Sequence, residues 1–388
     1  MKRDTLKIGL IIYGSLDTVS GGYLYDRKLV QYLRAQGDEI EIISLPWTRY
    51  GRHLTYNFSN SLFSRLRSAN YDLLLQDELN HPSLFWLNGR LRPTISYPII
   101  SIVHHLRSSE AHPPWPLRLY RRVECRYLHS VDGFVCNSRT TKHAVLELLG
   151  GEWPFADRSF VVAPPAADHF QPAVTAGEIA ARSQEPGPLR ILFIGNLIPR
   201  KGLHYLVEAL SQLSHEDWQL DVVGDTTISP AYTRRIQHQI GAANLSQRIS
   251  LHGATTDEEL AQIYRQHQLL AVPSEYEGFG IVYLEGMGFG LPAIATSAGA
   301  AGGPTGTGLI YEGQNGCLVE VGQSAVLARR IHHLHQDRGE LTRLSLNARQ
   351  TYLNWPTWDE SMAGVHAFLH QIALSHKHTE SKGKRVGD

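Results

Sequence analysis

An α/β protein of two parallel-sheet halves is the fold class that this 388-residue sequence predicts. Three observations carry the prediction. Short, almost wholly apolar runs alternate with amphipathic helical patterns, as buried parallel strands alternate with their crossover helices. A proline-rich break divides that alternation into two blocks. Glycine-bearing turns directly follow several of the runs, at the strand ends where open α/β sheets bind ligands.

The first block opens with Ile8–Tyr13. It continues through Glu39–Leu45, Leu73–Gln76, Ile99–Val103, Phe134–Cys136 and Phe160–Val162. Pro164, Pro165, Pro172, Pro186 and Pro188 then crowd a stretch of little periodicity, so a linker is expected at residues 171–188. The second block restarts at Ile191–Gly195. It runs through Leu220–Val223, Ile249–Leu251, Leu269–Val272 and Ala293–Thr296. Asp257–Gln266 is predicted helical, because Thr256 and Glu259 make a capping-box pattern. The expected domains are therefore 1–170 and 189–355. A last amphipathic helix, about 356–374, follows the break at Trp355-Pro356, and the polar tail 375–388 is expected to be disordered. Two such sheets facing a central cleft would present ligand sites at the strand C-terminal ends of both.

Composition narrows the function classes. Lys+Arg and Asp+Glu balance at 37 each, so global charge calls for no nucleic-acid partner. Three cysteines do not make a disulfide framework, and a reducing, cytoplasmic compartment is expected. No apolar run reaches the ~18 residues of a membrane span. The six positions Ile8–Tyr13 are too few for a signal sequence and read as a first strand.

The stretch Pro273-Ser274-Glu275-Tyr276-Glu277-Gly278-Phe279-Gly280-Ile281-Val282-Tyr283-Leu284-Glu285 is the most informative. An apolar strand precedes it, and a short helix follows its Gly278-Phe279-Gly280 turn. Glu277 then lies on the loop and Glu285 about one and a half turns into the helix. The free N–H groups at that helix N-terminus suit a pyrophosphate. An ionised carboxylate behind them suits vicinal hydroxyls, because it only accepts hydrogen bonds.

This string, with Gly290-Leu-Pro-Ala-Ile-Ala-Thr296 after it, resembles the Glu-x7-Glu motif of glycosyltransferase family 4. The family's members are retaining enzymes of the GT-B architecture, two Rossmann-like domains whose C-terminal helix crosses back to the N-terminal domain. The resemblance spans roughly residues 8–372 and is specific in the second half. It implies a hexosyltransferase-type enzyme that moves a sugar from a nucleotide-diphosphate sugar to a hydroxyl acceptor (a sugar, glycoside or lipid-linked molecule). It implies no further cofactor and no metal, and the chain accordingly lacks Asp-x-Asp, His-Glu-x-x-His and Cys-x-x-Cys.

The resemblance also assigns roles. Glu285 holds the ribose hydroxyls. Gly278, Phe279, Gly280 and Lys201 hold the pyrophosphate, with Gly253 at a strand end nearby. Glu277 contacts the donor sugar. Asn196 stands where the family usually has Arg, and Arg200 is a candidate replacement. His104, directly after the strand Ile99–Val103, is the catalytic-side histidine, with His105 as the spare. Gly21 and Gly22 form the loop against phosphate and acceptor. The acid usual after the glycine turn is missing beyond Ser297. A nucleotide-sugar isomerase or phosphorylase of the same fold, or a non-catalytic nucleotide-binding descendant, stays open.

One local charge feature stands apart. Every Lys/Arg position between Ile42 and Ser130 is Arg, including Arg107, Arg118, Arg121, Arg122 and Arg126. Arginine forks favour bidentate anion contacts. They fit a phosphate-bearing acceptor or an anionic inner-membrane surface, against the simpler reading of a solvated helix face.

Overall fold

The computed structural model describes residues 5–150, 159–214, 217–302 and 308–383, with side chains as far as Lys377. The chain forms two compact units: Met1–Pro165 with Trp358–Asp388, and Ala166–Thr357.

The first unit holds strands β1 (Lys7–Tyr13), β2 (Glu39–Leu45), β3 (Leu73–Asp77), β4 (Ile99–Val103), β5 (Gly133–Cys136) and β6 (Ser159–Val162). They form one parallel sheet in the order β2-β1-β3-β4-β5-β6. Before residue 165 its helices of eight residues or more are α1 (Gly21–Ala35), α2 (Asn60–Ser68), α3 (Pro114–Leu128) and α4 (Arg139–Leu148). β3 and β4 are buried along their whole length, which is why they read as continuous apolar runs.

The second unit holds α5 (Ala176–Gln184), β7 (Leu189–Ile194), α6 (Leu203–Leu210), β8 (Trp218–Val223), α7 (Pro230–Ala242) and β9 (Ile249–Gly253). It continues with α8 (Asp257–Gln266), β10 (Leu269–Val272), α9 (Ile281–Gly288), β11 (Ala293–Thr296), β12 (Gly316–Val319), α10 (Ser324–Gln336) and α11 (Arg338–Leu353). The parallel order is β12-β11-β10-β7-β8-β9. Strand order therefore reverses between β7 and β10, and the loops leaving their C-terminal ends flank the crevice that such a switch opens. In the first sheet the corresponding switch lies between β1 and β3.

Three expectations are corrected. Residues 176–184, expected within a linker, form α5. Its capping box has Thr175 Oγ1 accepting from Glu178 N and the Glu178 carboxylate accepting from Thr175 N. β12 was not foreseen. It is short and begins with Gly316, where a Cβ would lie 2.3 Å from the Ala293 carbonyl oxygen, so only glycine lets this backbone close onto β11. The last helix, α12 (Trp358–Gly383), runs past the expected end at 374 into residues expected to be disordered; residues 384–388 lie outside the described ones. α12 belongs to the first unit. There it buries Met362, Val365, Leu369 and Ala373. Among the described residues no helix is long and apolar enough to cross a membrane.

Candidate active site

Two loops at the second sheet's switch point bring the sequence-predicted residues together. After β7 the chain turns through Gly195 to Lys201, and Gly202 starts α6 in the left-handed region at φ 73°. After β10 it passes Pro273 and reaches Gly280, which starts α9 at φ 84°. The two loops touch: a Cβ on Gly202 would lie 1.9 Å from the Pro273 carbonyl oxygen. That approach aligns Lys201 with Glu277. Lys201 Nζ donates to Glu277 Oε1 at 2.6 Å, and Ser274 Oγ donates to the same oxygen at 2.7 Å. Arg200 braces the loop from behind, donating to the Tyr276 carbonyl at 2.8 Å and accepting from Glu275 N at 2.7 Å.

Glu277 is buried, at 6% exposure. Burial alone would raise its pKa, but the Lys201 and Arg200 cations outweigh that and hold the carboxyl below its ordinary range. It is therefore an ionised carboxylate at neutral pH. Sequence placed Lys201 on phosphate and Glu277 on sugar as separate groups; the structure pairs them. No side chain caps the α9 N-terminus at Gly280, so its first N–H groups keep their capacity to bind an anion.

Glu285 sits inside α9 and is 7% exposed. Its Oε2 accepts from Tyr264 Oη at 2.9 Å, and His169 Nε2 lies 3.4 Å from Oε1. The carboxylate is thus aimed by neighbours rather than left swinging. Asn196, where the family usually has Arg, accepts from Asp225 N through Oδ1 at 3.4 Å and ties the loop after β7 to the loop after β8. Gly253 ends β9 at φ 74° with open space around it. Gly299, two positions past Ser297, stands where a Cβ would come 2.2 Å from the Glu277 carbonyl oxygen. Ala300 N donates to that oxygen at 2.7 Å, so this loop clamps the Glu277 backbone.

The first unit holds a second polar cluster at its own switch point. His104 follows β4, is 7% exposed, and places Nε2 3.1 Å from Asp26 Oδ1 on α1. Asp77, at the end of β3, completes a buried trio. Burial disfavours a charged imidazole, but Asp26, with Asp77 and Glu78 behind it, raises the His104 pKa to about 9. His104 is therefore an imidazolium at neutral pH. Gly22 lies on its face: a Cβ there would be 3.2 Å from His104 Cδ2. Gly21 begins α1, whose N-terminus Ser20 caps through Tyr23 N. His105 turns away to Glu110, at 3.1 Å.

Residues 177–351 match the family profile described as Glycosyl transferases group 1, and residues 25–169 the one described as Glycosyltransferase Family 4. The chain belongs to glycosyltransferase family 4. One family relative, a D-inositol 3-phosphate glycosyltransferase of Nocardia farcinica, is 28% identical over 285 residues, or 69% of this chain and 60% of that protein. An uncharacterized glycosyltransferase of Methanocaldococcus jannaschii is 29% identical over 47% of this chain and 48% of its own. This family 4 chain thus spans about half to three fifths of the length of these relatives. Among solved structures, sucrose-phosphate synthase from Thermosynechococcus elongatus superposes with a TM-score of 0.77 at 20% identity, covering 95% of this chain and 100% of that one. That likeness is one of fold.

Sequence reasoning missed Asp26, Asp77, Tyr264 and His169. Each is distant in sequence from the group it positions. Ser274 lay inside the motif string itself, one residue from a strand end, and that was the available signal.

Proposed function

We propose that the chain is a retaining glycosyltransferase that uses a nucleotide-diphosphate sugar, a hydroxyl acceptor and no metal. One observation carries this reading: a Lys201–Glu277 ion pair at 2.6 Å, set between two strand-end loops beside the uncapped N-terminus of α9. Lys201, Arg200 and the α9 N–H groups of the Gly278-Phe279-Gly280 turn neutralise the leaving diphosphate, the role a metal plays in other architectures. Glu277 meets the donor sugar, and Glu285 accepts the ribose hydroxyls. The departing phosphate oxygen takes the acceptor proton on the same face, so no protein nucleophile is required. Catalysis is then positioning plus electrostatic stabilisation.

Acceptor handling falls to the first unit, at His104, Gly21 and Gly22. The Nocardia relative's name points to a phosphorylated polyol. The solvent side of α3 exposes Trp115, Arg118, Arg121, Arg122 and Arg126, which suits an anionic group or an anionic membrane surface. Sedimentation with vesicles tests the latter: binding to anionic but not neutral lipid is expected.

The decisive experiment supplies a panel of nucleotide-diphosphate sugars to the purified chain and follows transfer and donor hydrolysis. Turnover that persists in excess chelator, with a product of unchanged anomeric configuration, is expected. Lys201→Ala should weaken nucleoside diphosphate binding more than tenfold, as loss of a charge-assisted contact costs ~1.5–3 kcal/mol. Arg200→Ala should weaken it less. Complete, metal-reversible loss of activity, or unchanged affinity in both variants, would overturn the reading.

A further inference from the structure

A second cluster of ligand-type side chains lies at the opposite edge of the first sheet. Asp38 directly precedes β2, so it sits at the N-terminal edge, away from the strand ends that hold His104. Its position is fixed: its N–H donates to the Leu33 carbonyl at 3.0 Å and its Oδ1 accepts from Leu6 N at 2.9 Å. Facing it on α12 are His366 and His370, four residues apart and hence on one helix face. Their rings stand 4.2 Å apart. The three ligand atoms all lie within 4.8 Å of one another.

The distances do not describe good hydrogen bonds. His366 Nε2 is 3.4 Å from Asp38 Oδ2, and His370 Nε2 is 3.5 Å from Asp38 Oδ1. Nitrogen–oxygen hydrogen bonds run ~2.7–3.2 Å. Asp38 Oδ2 and His370 Nε2 are both buried without a hydrogen-bond partner, an arrangement that costs free energy if nothing else meets them. The Asp38 side chain is only 2% exposed. Zinc–ligand bonds of ~2.0–2.1 Å place the corners of a tetrahedron ~3.3 Å apart; the 3.4 Å from His366 Nε2 to Asp38 Oδ2 matches that edge, and His370 offers a ring nitrogen within 4.8 Å of the other ligand atoms. Two imidazoles and one carboxylate are a donor set that a borderline dication favours. The hydrogen bond from Leu6 N to Asp38 is the outer contact that commonly orients a ligating carboxylate.

We propose that Asp38, His366 and His370 bind a zinc ion that clasps α12 onto the first unit, with water completing the tetrahedron. No zinc site was expected from the sequence, because the chain has no His-Glu-x-x-His and no Cys-x-x-Cys. Here the His-x-x-x-His pair needs a partner from the far end of the chain. The clasp is structural: it lies at the sheet edge away from His104, and its loss leaves the phosphate site of the second unit untouched.

The test uses the full, untagged chain, stripped with a chelator and titrated with zinc against a chromophoric competitor. One zinc per chain and a higher thermal midpoint are expected, and cobalt substituted for zinc should give the intense visible bands of tetrahedral coordination. His370→Gln and His366→Gln should each weaken zinc binding more than ~100-fold, since even outer-shell changes cost ~10–100-fold. Both variants should lose the zinc-dependent rise in midpoint. Glu124→Gln, in the separate Glu78–His81–Glu124 cluster, should bind zinc as the wild type does. Absence of binding by the wild type, or wild-type affinity in both histidine variants, would overturn the proposal.

Discussion

Lys201 and Glu277 hold each other's charge in a buried place, so neither can be changed without disturbing its partner. Removing one member of a buried ion pair costs ~3–5 kcal/mol, largely because the survivor is stranded. Lys201→Met should therefore lower the unfolding free energy of the second unit by that order, measured by denaturant titration. Lys201→Met/Glu277→Gln should recover most of it, because both charges are then gone; a double variant no more stable than the single would contradict the pairing. Glu285 calls for a different measurement. A 2′-deoxyribonucleoside diphosphate should bind the wild type less well than its ribose parent, and Glu285→Gln should largely erase that difference. An equal deoxy penalty in both proteins would remove Glu285 from the ribose site. Both glutamates and Lys201 were legible because a short strand–turn–helix string fixes where each stands. Their pairing was not, since it depends on β7 and β10 being neighbours across a strand-order reversal that no local pattern reports. Asp26 and Tyr264 were hidden for the same reason: on their own helices they read as an ordinary acid and an ordinary core aromatic.

At the scale of elements, glycines separate packing demands from conformational ones. Gly202 and Gly253 share a left-handed backbone, at φ 73° and 74°. Gly253 has open space where a Cβ would go, whereas Gly202 meets a carbonyl oxygen at 1.9 Å. Gly253→Ala should cost only the ~1–2 kcal/mol of left-handed strain. Gly202→Ala should cost more and also weaken nucleotide binding, because the loop carrying Lys201 must back away from Pro273. Comparing midpoint and affinity for the two variants checks this. Strand positions read well from sequence because burial on both faces leaves a continuous apolar signature. Two elements escaped for physical reasons. The start of β12 is a glycine required by close approach, which looks like a turn. The apolar residues of α5 are flanked by prolines, so its helical period was masked, although Thr175 and Glu178 carried the start signal.

The whole molecule divides into two cores with different electrostatic character. The first unit buries Glu78 and Glu124 around His81, with Glu78 also acting on His104. Burial raises the Glu78 pKa to about 8 and that of Glu124 to about 7. His104, against its burial, is raised to about 9 by its acidic neighbours. Each of these groups binds its proton more tightly folded than unfolded. Their contributions are complete below the unfolded pKa values and are lost as pH rises through the folded ones. His81 runs the other way: burial lowers its pKa to about 4, so its effect is confined below its ordinary 6.5. Between pH 6.5 and 9 the first unit should therefore lose stability steadily. Thermal unfolding followed across that range should show its transition falling, and Glu78→Gln should flatten the slope.

The return of α12 to the first unit sets an order of events during synthesis. Ala166–Thr357 contains every residue of the second unit, so that unit can fold as soon as it clears the ribosome. The first unit cannot finish until the residues after Trp358 emerge, although most of it is made first. Vectorial folding usually favours the N-terminal domain; here the earliest-made unit must wait for the helix that packs on α1 and β6. Ribosome-bound chains halted just before Trp358 should show a protease-resistant second unit and a sensitive first one, and nascent-chain chaperones should find their binding surface on the half of the protein that was translated first.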